Sequence, residues 1–237
     1  MAGTSSGSQA SGPERLPANE GSGASALTAA DARRLEACLA GDGMAVIPTD
    51  TVYGLACNPD SERALRRIYE LKGRPPAKPA AVMFFALQAA LATLTELGPR
   101  TRAALEALLP GPVTLLLPNP RQRFPLACHP QRAPGGGAGS KLLGLRVPAF
   151  AGPLAALAAV RLPAAQSSAN RSGARDARAL ADVPLQLRAG ADLLLDGGEL
   201  DGVASTVVDL SEYEQAGAWR VRREGRLGRA AIERLLG

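Results

Sequence analysis

Three observations predict a mixed α/β fold. Short continuous apolar runs such as Met44–Ile47 have the length of buried strands. Amphipathic segments with recognisable caps lie between those runs. The 237 residues suffice for one sizeable domain that buries most of its apolar surface. Strands interleaved with helices then argue a sheet covered on both faces.

The elements follow in order. Thr28 with Asp31 opens a first helix that turns Leu35, Cys38 and Leu39 inward, and Gly41 and Gly43 close it. The strand at 44–47 comes next. Residues 61–71 read as a second helix with Leu65, Ile68, Tyr69 and Leu71 inward, stopped by Gly73 and the Arg74-Pro75-Pro76 run. Its last turn delivers Lys72 and Arg74 to the following loop. Residues 80–86 are a buried strand, and 87–94 and 100–109 are helical. Further strands are expected at 113–117, 142–147, 162–166, 191–195, 203–210 and 219–222. Helices are expected at 152–159, in part of 177–188, and at 229–236. Residues 118–140 are rich in Pro, Arg and Gly and read as a long loop insertion, mobile at its glycine end.

Residues 1–26 show no apolar periodicity and cannot bury enough surface to offset their ordering entropy. A disordered tail is expected there, with one domain at 27–237. The tail lacks the apolar core of a secretory signal, and Arg15 is its only cation, a poor composition for a transit peptide. No apolar run approaches the ~20 residues of a membrane span, so no membrane partner is expected. Cys38, Cys57 and Cys128 are widely separated and in no metal-ligand spacing, which argues against a disulfide framework or zinc site. A reducing cytoplasm fits that usage. The net charge of +5 suits a nucleotide, RNA or no particular partner equally, since an Ala- and Arg-rich composition alone produces it.

The chemistry gathers where strands end. Pro48-Thr49-Asp50-Thr51-Val52-Tyr53-Gly54-Leu55 sets small hydroxyls and a glycine after a strand, and the next helix ends in Leu71-Lys72-Gly73-Arg74-Pro75 with Lys78-Pro79. Hydroxyls beside a cationic cluster are what an anionic nucleotide requires. Each part also has a plainer reading. Lys72, Arg74 and Lys78 form a solvated basic turn, Thr49, Thr51 and Tyr53 are ordinary strand-end residues, and Ser167-Ser168-Ala169-Asn170 with Ser172-Gly173 is a turn. Arg146, within Gly144-Leu145-Arg146-Val147-Pro148, is harder to read plainly. An arginine in an apolar strand needs an anion, and a bidentate carboxylate is the natural one. Gly139-Ser140-Lys141-Leu142 displaces the lysine and lacks the hydroxyl of a phosphate-cradling loop, so that stretch reads as a flexible insertion. There is no Ser-His-Asp arrangement, no clear carboxylate pair and no metal cage. His129, the only histidine, is expected at the surface.

With Pro110-Gly111-Pro112-Val113-Thr114 and Ser205-Thr206-Val207-Val208-Asp209 added, these strings resemble, in order, the signature blocks of the YrdC/Sua5 family of threonylcarbamoyl-AMP synthases. The resemblance runs over residues 48–225, and it implies a YrdC-like twisted mixed β-sheet flanked by helices around an open basic concave site. Because the chain ends at Gly237, soon after the last helix, the short single-domain form is expected. The implied activity is L-threonylcarbamoyladenylate synthesis: L-threonine, bicarbonate or CO2 and ATP give threonylcarbamoyl-AMP and pyrophosphate. Mg²⁺ would be carried by ATP. The implied partner is the tRNA threonylcarbamoyl transferase machinery, which modifies adenosine 37 of tRNAs reading codons that begin with A. By resemblance, Lys72 and Arg74 are catalytic through charge neutralisation, and Thr51 and Arg146 bind L-threonine. Arg74, Lys78, Ser168, Asn170, Ser205 and Arg223 bind the nucleotide. Met83 stands where relatives often have a histidine, Leu142 where threonine is frequent, and Glu224 replaces a proline after Arg223.

A site of cations and hydroxyls suits adenylate transfer, in which the work is positioning and charge neutralisation. The rival reading is a non-catalytic module that holds double-stranded RNA or tRNA in the same basic concavity. Aromatic residues are only 3%, which leaves few stacking platforms for single strands but permits recognition of an A-form duplex by shape. A carbamoyl-transfer domain of hydrogenase maturation is a third reading, normally embedded in a much longer chain.

Overall fold

The computed structural model describes residues 26–73, 80–129 and 142–237. Residues 1–25 of the expected disordered tail, the glycine-rich part of the insertion, Arg74 and Lys78 lie outside the described residues.

Helix α1 (Ala29–Ala40) begins at a reciprocal cap, in which the Asp31 amide donates to Thr28 Oγ1 at 3.3 Å and the Thr28 amide donates to Asp31 Oδ2 at 2.9 Å. Strands β1 (Met44–Ile47) and β2 (Gly54–Cys57) pair antiparallel. Helix α2 (Glu62–Lys72) starts where the Ala64 amide donates to Ser61 Oγ. It stops at Gly73, whose φ of 59° lies in the left-handed region that glycine enters without a Cβ penalty. There follow β3 (Ala81–Met83), α3 (Leu87–Thr93), α4 (Pro99–Leu108), β4 (Val113–Pro118), β5 (Cys128–His129), β6 (Leu142–Arg146) and β7 (Ala164–Ser168). The chain continues through α5 (Leu185–Ala189), β8 (Leu193–Leu194), β9 (Thr206–Glu212), α6 (Tyr213–Ala216), β10 (Ala218–Arg223) and α7 (Arg229–Leu236).

The described strands form one mixed sheet in the order β10-β9-β4-β6-β3-β7-β2-β1-β8, with β5 added alongside β6. The β1–β8, β3–β6 and β4–β9 pairs are parallel and the rest antiparallel. Every residue of β1 and β6 is buried, as a sheet covered on both faces demands. Alternation along the strands sorts the two faces. Val46 and Leu55 pack with Leu65 and Ile68 of α2 and Leu187 of α5. Their neighbours Ala45, Ile47 and Ala56 pack with Leu35 and Leu39 of α1 and with Leu157. Around β4, β6 and β9, a further cluster gathers Leu105 of α4 and Ile232 of α7 against Leu115, Leu145 and Val208. Each fully buried leucine stabilises the fold by about 1.5–3 kcal/mol.

The α/β expectation holds, with local corrections. Residues Gly152–Ala159 form a 3-10 helix rather than an α-helix. The helix expected within 177–188 divides into a 3-10 turn, Leu180–Asp182, and the short α5. Strand β9 starts at Thr206 rather than at 203, because the chain before it bends to meet the segment at 224–227: the Arg226 amide donates to Ala204 O at 2.9 Å. The first part of the 118–140 insertion is structured. There the buried Asn119 closes a turn, accepting from the Arg123 amide at 2.9 Å and donating to Arg123 O at 2.8 Å. Arg123 Nε also donates to Glu96 at 2.8 Å, and β5 pairs with β6.

Asp209, buried in β9, accepts from the Ser211 amide at 2.9 Å and from Arg222 Nε and Nη2 at 2.9 and 2.6 Å. Burial alone would raise its carboxyl. The hydrogen bonds from Ser211 and Arg222 outweigh that and hold it below its ordinary value of 3.8. A carboxyl depressed in the folded state contributes stability that is present above its unfolded value and lost as pH falls through the folded one. Asp209→Asn is therefore expected to cost about 1–3 kcal/mol near neutral pH, with the gap closing below about pH 4. Urea denaturation of both proteins across that range measures it, and a pH-independent difference would refute the linkage.

Candidate substrate site

The segment at 48–53 between β1 and β2 is held by its own hydroxyls. Thr49 Oγ1 donates its one proton to Val52 O at 2.7 Å. The 3.0 Å bond between the two threonine hydroxyls must then be donated by Thr51. Thr51 Oγ1 accepts in turn from Arg146 Nη2 at 3.0 Å. The donation order therefore runs from Arg146 to Thr51 to Thr49 to the Val52 carbonyl, and both threonines are fully buried. Thr51 has spent its proton and keeps one acceptor position. At the end of the segment the Gly197 amide donates to Tyr53 Oη at 3.0 Å, and Tyr53 Oη donates toward Gly198 O at 2.8 Å.

Arg146, the last residue of β6, is only 3% exposed. Its Nη2 also donates to Asp50 Oδ1 at 2.8 Å, and its Nη1 lies 3.4 Å from Gln166 Oε1. Asp50 is itself fixed, its Oδ2 accepting from the Ala149 amide at 3.1 Å. Arg146 Nε is buried with no hydrogen-bond partner among the described residues. Burial pushes the Arg146 pKa down, the Asp50 charge pushes it back up, and Arg223 lowers it again. The guanidinium stays charged throughout the physiological range. Since an unanswered buried N–H is costly, Nε marks where an acceptor belongs.

Gln166 is held from behind by Gly54, since a Cβ there would overlap the Gln166 amide. Gly54→Ala is expected to overpack this corner and cost about 1–3 kcal/mol. Chemical denaturation measures it, and unchanged stability would mean that Gln166 moves aside freely.

The other expected site residues fall into two hydrogen-bonded groups. Ser205 Oγ lies 2.9 Å from Thr114 Oγ1, and Arg223 Nη2 donates to Ser205 O at 2.8 Å. Thr114 pairs with Val207 in the β4–β9 ladder and precedes Leu115, which pairs with Leu145, so these residues sit at the strand ends on the Arg146 side of the sheet. In the second group the buried Lys72 points its ammonium at Ser168 O, at Asn170 O (2.7 Å) and at Asn170 Oδ1 (3.1 Å). Ser168 Oγ donates to Asn170 Oδ1 at 2.6 Å, and Asn170 Nδ2 to Ala174 O at 2.6 Å. Lys72 is thus the anchor of the Ser168–Asn170 turn as well as a cation beside it. The turn is tied to the 48–53 segment through the Ala169 amide, which donates to Tyr53 O at 2.8 Å.

Sequence reasoning gave no role to Asp50, Gln166 or Thr114. Arg146 is a lone charge in an apolar strand, whereas Asp50 stands among threonines, where one more polar residue carries no signal. Arg226, which pairs with Asp201 and reaches toward the Asp50 carbonyl at 3.5 Å, carried none either. Met83 lies opposite Arg146 in the β3–β6 ladder and is fully buried.

The class is thus an α/β protein with a buried guanidinium, paired to Asp50 and left with one N–H unanswered, at the end of a central strand of its sheet. The chain belongs to the Sua5/YciO/YrdC family, whose model, described as telomere recombination, matches residues 37–225. Among curated relatives, the threonylcarbamoyl-AMP synthase of Pyrococcus abyssi is 31% identical over 195 residues, covering 82% of this chain and 54% of the relative. The human threonylcarbamoyl-AMP synthase is 34% identical over 220 residues, covering 86% of this chain and 67% of the relative. Among solved structures, P. abyssi Sua5 complexed with L-threonine superposes with a TM-score of 0.71 at 28% identity, covering 89% of this chain and 58% of that one. The chain thus spans about half to two thirds of the length of these proteins. No helix among the described residues is long and apolar enough to cross a membrane.

Proposed function

We propose that this chain is an L-threonylcarbamoyladenylate synthase that acts on L-threonine, bicarbonate or CO2 and ATP. The observation that carries the reading is the buried Arg146, with an unanswered Nε beside Thr51, in a domain whose relatives are threonylcarbamoyl-AMP synthases. The L-threonine carboxylate takes Arg146 Nε, and Thr51 lies alongside. The threonine ammonium gives up a proton to solvent, and the free amine and bicarbonate then condense to a carbamate with loss of water. One carbamate oxygen then attacks the α-phosphorus of ATP, the bond to the β-phosphate oxygen breaks, and pyrophosphate leaves.

No proton relay is required at phosphorus, so the protein's part is positioning and neutralising charge. Ser168, Asn170, Ser205 and Arg223 bind the nucleotide, Lys72 adds charge beneath the Ser168–Asn170 turn, and Arg74 and Lys78 contact the phosphates. Mg²⁺ enters with ATP. The product passes to a tRNA threonylcarbamoyl transferase in the cytoplasm, for modification of adenosine 37 of tRNAs that read codons beginning with A.

The test is pyrophosphate release from Mg-ATP and bicarbonate with L-threonine, serine, valine or no amino acid, with mass detection of the adenylate. Threonine-dependent release with threonylcarbamoyl-AMP is expected. Folded protein that releases none with any amino acid would overturn the reading, and salt-sensitive binding of duplex RNA by that protein would put a non-catalytic RNA-binding module in its place.

A further inference from the structure

We infer that Asp50 is the ammonium-recognising and specificity-determining residue of this site, selecting α-amino acids over simple carboxylic acids. The inference rests on the proposed threonine reading and adds a residue that the reading does not use. Nε and Nη2 share one edge of the Arg146 guanidinium, the edge that ordinarily grips a carboxylate with two parallel bonds. Here that edge is half taken. Nη2 already donates to Asp50 Oδ1 at 2.8 Å and Thr51 Oγ1 at 3.0 Å, while Nε is buried and unanswered. A carboxylate arriving at Nε therefore lies beside a second carboxylate that the Ala149 amide holds in place at 3.1 Å.

For a simple anion that neighbour is repulsive. For a zwitterion it is attractive, because an ammonium on the adjacent carbon faces Asp50. The hydrogen-bond order supports the same assignment: Thr51 has given its proton to Thr49 and offers only a lone pair. Asp50 and Thr51 thus present acceptors to a donor-only group, next to a donor that wants an acceptor. The Asp50 side chain is only 8% exposed, so its charge is poorly screened by water. Discrimination then has both an attractive and a repulsive part.

Titration calorimetry with L-threonine and with 3-hydroxybutyrate, its counterpart without the amine, tests this on the full chain. The wild type is expected to prefer L-threonine by at least about tenfold, the scale of a lost charge-assisted hydrogen bond. Asp50→Asn keeps the shape and removes the charge, and its single oxygen can accept from the Ala149 amide or from Arg146 Nη2 but not from both. It should weaken L-threonine about tenfold or more, leave 3-hydroxybutyrate unchanged or tighter, and so collapse the preference. A folded variant that keeps the wild-type preference overturns the inference. So does an equal loss for both ligands, which would make Asp50 only a support for Arg146. Should Asp50→Asn not fold, Asp50→Glu carries the same comparison, with a selective loss of L-threonine expected and an equal loss overturning. Equal affinity of the wild type for the two ligands overturns the inference without any variant. Wild type that binds neither would instead sink the threonine reading, and the Asp50 assignment with it.

Discussion

Arg146→Lys is expected to lower threonine-dependent pyrophosphate release by about two to three orders of magnitude, the range seen when a preorganised donor is lost from a buried site. Lysine keeps the charge near Asp50, so the protein should fold. It cannot reproduce a planar fork that meets Asp50 and Thr51 with one nitrogen and a ligand with another. Arg146→Met separates the two functions of the residue. It leaves Asp50 buried without its counter-ion, which should cost about 3–5 kcal/mol. Adding Asp50→Asn should recover a large part of that stability, since the pair is coupled, and none of the activity. Denaturation and turnover of the two single variants and the double variant measure both. Wild-type turnover in Arg146→Lys would remove the residue from the substrate site, and additive stability losses would remove the ion pair from the fold.

The same physics explains what could be read from the sequence. The strands 44–47, 113–117 and 142–147 declare themselves because a sheet covered on both faces needs unbroken apolar runs, and each appears within a residue or so of its expected place. Strand β2 does not, because Gly54 and Ala56 have little β-propensity and belong to a strand only through their neighbours β1 and β7. Gly54 is glycine for a reason invisible in sequence, the Gln166 amide lying against it. The turn in the described part of the insertion was hidden in a similar way. Its turn depends on one asparagine whose side chain substitutes for a backbone partner, and composition marked only its prolines and arginines. At the site, Arg146 stood out as a charge in an apolar strand, whereas Asp50 was camouflaged by polar neighbours. Lys72 was legible as a cation and not as an anchor, since what it holds lies almost a hundred residues away.

That anchor makes Lys72 the second position of large effect. Lys72→Met keeps an unbranched stem of similar length, so the helix face and its packing survive. The ammonium is lost from beneath Ser168 O, Asn170 O and Asn170 Oδ1. Leaving buried acceptors without their charged donor is expected to cost about 2–4 kcal/mol. The larger consequence lies in the turn. Asn170 Oδ1 also accepts from Ser168 Oγ, so the proposed nucleotide contacts share one pivot with the lysine. Once the turn is loosened, the KM for ATP should rise at least about tenfold and turnover should fall about a hundredfold, because geometry relaxed by even an ångström is enough to lose such a factor. Lys72→Arg should not rescue it, since a planar fork cannot converge on acceptors arranged around a point charge. A purely electrostatic role predicts the opposite, with arginine restoring most of the rate and stability barely moving in either variant. Steady-state kinetics in ATP, with thermal denaturation of the same preparations, separates the two. Wild-type KM and stability in Lys72→Met would show that the turn stands without its lysine.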